Sequence, residues 1–547
     1  MPHKRTPSSS LLYARIPGIS FENSPVFDFL SPFGPAPNQW VARYIIIIFA
    51  ILIRLAVGLG SYSGFNTPPM YGDFEAQRHW MEITQHLSIE KWYFYDLQYW
   101  GLDYPPLTAF HSYFFGKLGS FINPAWFALD VSRGFESVDL KSYMRATAIL
   151  SELLCFIPAV IWYCRWMGLN YFNQNAIEQT IIASAILFNP SLIIIDHGHF
   201  QYNSVMLGFA LLSILNLLYD NFALAAIFFV LSISFKQMAL YYSPIMFFYM
   251  LSVSCWPLKN FNLLRLATIS IAVLLTFATL LLPFVLVDGM SQIGQILFRV
   301  FPFSRGLFED KVANFWCTTN ILVKYKQLFT DKTLTRISLV ATLIAISPSC
   351  FIIFTHPKKV LLPWAFAACS WAFYLFSFQV HEKSVLVPLM PTTLLLVEKD
   401  LDIISMVCWI SNIAFFSMWP LLKRDGLALE YFVLGILSNW LIGNLNWISK
   451  WLVPSFLIPG PTLSKKVPKR DTKTVVHTHW FWGSVTFVSY LGATVIQFVD
   501  WLYLPPAKYP DLWVILNTTL SFACFGLFWL WINYNLYILR DFKLKDA

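Results

Sequence analysis

Between Val41 and Gly60 the chain reads VARYIIIIFAILIRLAVGLG, twenty residues of nearly unbroken apolar character. At 1.5 Å per residue, a helix of that length crosses about 30 Å of hydrocarbon. Similar runs recur along all 547 residues and leave no room for a large soluble domain. Composition agrees: 12% of the residues are charged, about half the share in a soluble domain, and mean hydropathy is +0.57. The fold class is an all-α, polytopic integral membrane protein.

The first forty residues are polar and rich in Pro and Ser, with no cleavable signal pattern, so Val41–Gly60 reads as an uncleaved anchor. The eight cysteines are scattered, mostly within apolar runs (Cys155, Cys350, Cys369, Cys408, Cys524), and form no CxxC pair. They read as small core hydrophobes rather than a disulfide framework or zinc site. The net charge of +8 is spread over short loops, a pattern of membrane orientation rather than of nucleic-acid binding.

Fourteen candidate spans lie near residues 41–60, 143–165, 177–195, 201–219, 222–236, 237–254, 265–288, 336–355, 360–378, 384–397, 401–421, 427–444, 478–503 and 511–538. The fifth, sixth and tenth are short or nearly continuous with a neighbour. Pro105–Phe121 opens on two prolines and carries His111, Gly116, Lys117 and Gly119, which suits a helix lying in the interface. With that stretch outside the count, both termini share one side with Lys259 and Arg265, with His356, Lys358 and Lys359, and with Lys465, Lys466, Lys469 and Arg470. The positive-inside rule makes that side cytosolic, Lys423 and Arg424 being the exception. The expected organisation is a cytosolic segment 1–40, a transmembrane catalytic core 41–444 and a basic cytosolic loop 445–477. A C-terminal transmembrane pair 478–538 and a cytosolic tail 539–547 follow. The core carries luminal loops 61–142 and 289–335, the first with amphipathic helices.

Under this topology the polar clusters all fall on the luminal face: MYGDFEAQRHW (70–80), GLDYPP (101–106), DHGHFQYNS (196–204), FKQMALYY (235–242), FPFSRGLFEDKVANFWC (301–317) and FQVHEKS (378–384). Polar groups beside a membrane are costly unless paired or used, so their gathering on one face points to one site. Each cluster alone has a plainer reading. Asp73 suits a helix N-cap, with Glu75, Arg78 and Glu82 as an i,i+3/i+4 ion-pair ladder. Asp196, His197 and His199 suit a polar turn, although their residue types also allow a metal. His381 and Lys383 suit a snorkelling cluster. Lys236 interrupts an apolar stretch and calls for an anionic partner.

Taken together and in order, YGDFEAQRHWMEIT, LDYPPLTAFHSY, DHGHFQYNS, FKQMALYY, FEDKVANFWC and FSFQVHEK closely resemble the endoplasmic-reticulum glucosyltransferases that use dolichyl-phosphate glucose, enzymes of GT-C fold in N-glycan precursor assembly. The resemblance runs from about Gln39 to Asn444 and more weakly beyond. Members that add the second glucose resemble TDFEVHRNW and HIHFQYN at the first and third motifs. GDFEAQRHW and HGHFQYN here look like the members that add the first.

The resemblance implies an inverting transfer of glucose from the lipid phosphate to the C3 hydroxyl of a terminal mannose on a lipid-linked oligosaccharide. Such a reaction needs a base for the hydroxyl proton and cations for the departing phosphate, and requires no metal or other cofactor. The resemblance makes Asp73 the general base. Asp103 and His381 are implied to line the site, and Lys236, Arg305, Lys311 and Lys383 to meet the phosphate. Glu75, Arg78, Tyr104, His197, His199, Gln201, Asn203 and Glu309 are further substrate-binding candidates. The implied partners are the donor, the acceptor and membrane lipid, with no nucleic acid, in the endoplasmic-reticulum membrane. A transporter or lipid scramblase is the rival of another class, but such proteins place polar sites near the midplane of related halves. Lys543 and Lys545 resemble a cytosolic di-lysine retrieval signal and also suit a basic stop-transfer flank.

Overall fold

The computed structural model describes residues 21, 24–34, 39–257, 261–301, 311–445 and 476–541. Arg305, Glu309, Lys259, the loop lysines 465–469 with Arg470, and the tail lysines lie outside these residues. The main helices, in chain order, are α1 (Gln39–Gly58), α2 (Asp73–His86), α3 (Pro106–Ile122), α4 (Val138–Asn170), α5 (Ala176–Leu187) and α6 (Asn203–Leu218). Then come α7 (Phe222–Phe235), α8 (Ser243–Cys255), α9 (Leu263–Asp288), α10 (Met290–Val300), α11 (Asp331–Thr355) and α12 (Leu362–Phe376). The last are α13 (Leu386–Leu394), α14 (Leu401–Ser417), α15 (Ala428–Leu441), α16 (Val476–Leu502) and α17 (Leu512–Leu539). Among the described residues no strand occurs.

All fourteen expected stretches contain helix, but they are not equal. Among the described residues, eight are long and apolar enough to cross a membrane: α1, α4, α8 with the turn before it, α9, α11, α12 with its leading turn, α16 and α17. Helices α6, α7, α14 and α15 are apolar but shorter. The third stretch is broken, because Pro190 follows Asn189, whose side chain accepts from the Ser191 N–H and starts a new helix bent 49° from α5. The tenth is nine α-helical residues holding two prolines, Pro388 and Pro391, between 3-10 turns.

Local chemistry sets the ends. Asn175 and Glu178 form a capping box at α5, and the Ser137 hydroxyl accepts from the Leu140 N–H at α4. The core is filled by large rings, with Trp364, Trp371, Trp409 and Trp419 fully buried. Cys350, Cys369, Cys408 and Cys524 are buried as core residues, while Cys155 is half-buried.

The expected interface helix is α3. It packs on α2, and its Thr108 hydroxyl donates to the Phe235 carbonyl at the end of α7 (2.5 Å). Ala109, Ser112 and Phe115 face inward, and Tyr113, Phe114 and Phe121 face out. The loops 61–142 and 289–335 pack together: Gln292 and Gln295 of α10 donate to the carbonyls of Glu90 (3.0 Å) and Tyr93 (2.9 Å), and Arg299 donates to that of Gly101 (2.9 Å). A roof of short helices therefore stands over one end of the bundle.

Candidate active site

Helix α2 is part of that roof. Its N-cap is Gly72, not Asp73, and Asp73 is the first helical residue. The chain passes so close to residues 63 and 64 that a Cβ on Gly72 would lie 2.5 Å from the Ser63 carbonyl carbon. The Ser63 hydroxyl takes the Asp73 N–H (3.2 Å), and the Ser63 N–H donates to the His199 carbonyl (3.0 Å). Freed from capping, the Asp73 side chain turns into the protein.

There, Asp73 Oδ2 accepts from Gln201 Nε2 (2.5 Å) and from the Lys383 ammonium, and lies 2.8 Å from His199 Nε2. Among the described residues no donor meets Oδ1, and the carboxylate is 23% exposed, so one oxygen remains accessible. Burial pushes the Asp73 carboxyl upward, but Lys383 and His199 outweigh it and hold the group well below the usual carboxylate range.

His199 belongs to a π-helical turn, Ile194–Phe200, closed by Phe200 at φ +86°, and Gln201 is the extended residue that follows it. Such wide turns recur at functional sites because the extra residue re-aims side chains. Gln201 Oε1 accepts from the Lys236 ammonium, which also donates to Asn203 Oδ1 (2.6 Å) and lies 4.9 Å from the centre of the Tyr104 ring. Asp196 accepts from the N–H groups of Asn203 (3.1 Å) and Ser204 (2.6 Å) and so seals the start of α6. Residues from five of the six polar clusters thus form one connected network around the partly exposed Asp73 carboxylate.

With this network in view, the comparisons with known proteins become specific. A sequence model of the ALG6, ALG8 glycosyltransferase family matches residues 50–531. The chain belongs to this family. It is 54% identical over 530 residues to a Saccharomyces cerevisiae protein named dolichyl pyrophosphate Man9GlcNAc2 alpha-1,3-glucosyltransferase, covering 96% of this chain and 97% of that one. A Schizosaccharomyces pombe protein named as a probable enzyme of the same kind is 46% identical over 93% of this chain and 95% of its own length. A Gallus gallus enzyme of that name is 38% identical over 92% and 98%.

In this family member the remaining expected residues divide. Glu75 and Arg78 are buried and joined to each other: Arg78 holds Glu75 (2.7 Å), Glu82 (2.6 Å) and Ser132 (2.6 Å), and Tyr99 donates to Glu75 (2.9 Å). The ion-pair ladder is present, but buried within the roof rather than facing water. Burial raises the Glu82 carboxyl, yet His79 and Arg78 bring it down to about 2.

His197 points away from His199. Its Nε2 lies 2.7 Å from Glu152, which is paired with Arg54 at 2.6 Å, all three fully buried. The two imidazoles diverge across Gly198, which removes the geometry a shared metal would need. Lys311 pairs with Asp511 on an exposed surface between α16 and α17, outside the network. Asp103 and Tyr104 are half-buried, Tyr104 beside Lys236 and its carbonyl accepting from Tyr93 (2.8 Å). His381, also half-buried, starts the 3-10 turn that delivers Lys383.

Sequence reasoning missed Asp425, whose Oδ2 lies 2.5 Å from His199 Nδ1 across 226 residues of chain. Its neighbours Lys423 and Arg424 stand out in the sequence only as an exception to the charge rule. Lys423 is in fact held by Asp500 of α16 (3.0 Å). Arg54 and Glu152 were also missed, though a lone charge inside an apolar run is itself a signal.

Proposed function

We propose that the chain is the inverting glucosyltransferase that adds the first glucose. It carries glucose from dolichyl-phosphate glucose to the dolichol-linked oligosaccharide Man9GlcNAc2, forming an α-1,3 linkage. The reaction takes place at the luminal face of the endoplasmic-reticulum membrane, with both chain termini in the cytosol. One observation carries the reading: a largely buried but still accessible Asp73 carboxylate is fixed at a single oxygen by Lys383, His199 and Gln201, in a family whose relatives are named for this reaction.

In the proposed step the mannose O3 attacks the glucosyl C1 from the face opposite the phosphate. The new C1–O3 bond forms, the C1–O(phosphate) bond breaks, and dolichyl phosphate leaves with the electron pair. Asp73 Oδ1 takes the hydroxyl proton. Lys383, and Lys236 behind it, receive the charge that develops on the phosphate. As that charge draws Lys383 away from Oδ2, Asp73 becomes a stronger base in step with bond breaking. His381 and Asp103 line the sugar sites, and no metal takes part. Purified protein given dolichyl-phosphate glucose should glucosylate the Man9GlcNAc2 lipid and leave the already monoglucosylated lipid unchanged. Transfer only to the latter would assign the protein to the second step, and transfer to neither would end the proposal.

A further inference from the structure

His199 has an unusual seat. Nε2 is 2.8 Å from Asp73 Oδ2, Nδ1 is 2.5 Å from Asp425 Oδ2, and only 2% of its side chain is exposed. A neutral imidazole carries one N–H and one lone pair, so it can donate to one carboxylate but must present its lone pair to the other. Both carboxylate contacts, at 2.8 and 2.5 Å, are shorter than the 3.2 Å from Nε2 to the Lys383 ammonium, which could only donate to a bare Nε2, so the closer partners call for a proton on each ring nitrogen. Asp425 is built into this position. It follows the short helix Trp419–Arg424, and Gly426 beside it adopts φ +74°, turning the chain back so that the carboxylate points inward. Only 4% of its side chain is exposed.

We propose that Asp425 is a positioning residue for the transfer reaction: it keeps His199 doubly protonated, and the imidazolium in turn clamps Oδ2 of Asp73 so that Oδ1 faces the acceptor hydroxyl. The inference rests on the reading of Asp73 as the base. The charged groups around His199 are Asp73 from α2, Asp425 from the turn before α15, and Lys383 from the turn before α13, with Nζ 3.2 Å from Nε2. Arg145 lies behind the turn, donating to the Gly198 carbonyl (2.7 Å), and Lys236 lies beyond Gln201. Two carboxylates and the Lys383 and His199 cations balance. Removing the charge of Asp425 leaves His199 beside Lys383 with one anion fewer, which favours loss of its proton.

The test is the pH dependence of kcat for purified full-length protein, with dolichyl-phosphate glucose and the Man9GlcNAc2 lipid, from roughly pH 5 to 8, where histidine titrates. Asp425→Asn keeps an acceptor for Nδ1–H but not the charge. It should lower kcat at pH 7 by about 10- to 10²-fold, the worth of one charge-assisted hydrogen bond, and move the alkaline limb to lower pH. KM should hold, while the melting temperature falls as a buried pair losing one charge requires. Asp425→Glu should restore the wild-type limb, and on a His199→Gln background Asp425→Asn should cost little more. An unchanged profile in Asp425→Asn, or full additivity with His199→Gln, overturns the dyad while leaving Asp73 as the base, provided Asp73→Asn is inactive. An active Asp73→Asn overturns both. If Asp425→Asn does not fold, the His199→Gln profile decides: retention of the alkaline limb overturns the proposal.

Discussion

Asp73 shows how a single residue can satisfy two readings in sequence and only one in space. As the N-cap of α2 its side chain would have been spent on a backbone N–H. Gly72 takes that place, and the carboxylate faces Lys383 and His199 instead. Asp73→Asn should therefore leave the helix intact and the protein folded, since no cap is lost. It removes the proton acceptor, and an amide does not serve as a base at neutral pH. Glucose transfer should fall at least about 10²-fold, measured as turnover at saturating donor, with the melting temperature near that of wild type. Near-normal turnover would pass the role to Asp103. Glu82 gives a separate, pH-resolved test. Its folded-state pKa is depressed to about 2, so its stabilisation is fully present above about pH 4.5 and is lost as pH falls toward 2. The full shift corresponds to no more than about 3 kcal/mol. The gap in melting temperature between wild type and Glu82→Gln should be wide at pH 7 and close on acidification. A gap independent of pH would mean that Glu82 acts through packing alone.

At the scale of elements, the π-helical turn at residues 194–200 decides the site. It sends His199 and Gln201 toward α2 and His197 toward α4. On the far side it is pinned by Glu152, which is held in a double hydrogen bond by Arg54 of α1 (2.6 Å each). Deleting one member of a buried ion pair leaves the other charge uncompensated and costs about 3–5 kcal/mol. Glu152→Ala should therefore lower the melting temperature and also lower turnover by loosening the turn. Replacing Arg54 and Glu152 together by apolar residues should restore much of the stability. If Glu152→Ala melted normally, the triad would not be what anchors the turn.

For the whole molecule, the helix directions sort the polar groups to two ends. Helix α12 runs from the basic stretch at Lys358 and Lys359 to Phe376, just before the turn that carries Lys383. At its basic end Lys359 pairs with Asp220 (2.5 Å), and Lys358 donates to the Arg540 carbonyl (2.5 Å) at the foot of α17. The site and these cations thus lie at opposite ends of the bundle. A reporter placed after residue 470 should face the cytosol, and one placed within 289–335 should face the lumen. Both on one side would sink the proposed topology and the luminal site together.

Part of this protein was legible from the chain alone because the signals are local. Run length marks the membrane helices, and Asp73, His199, Gln201, Lys236 and Lys383 all lie in clusters that stand out against an apolar background. Other features could not be seen there. The broken third span and the short tenth one depend on how prolines are accommodated by neighbouring helices. Glu75 and Arg78 carry the same residue types whether they meet substrate or each other, and only burial separates the two. Asp425 belongs to no pattern, since 226 residues of intervening chain must fold before it reaches His199. Periodicity and charge act between near neighbours in sequence, whereas a site is assembled by contacts between distant segments, which only the packing of the helices determines.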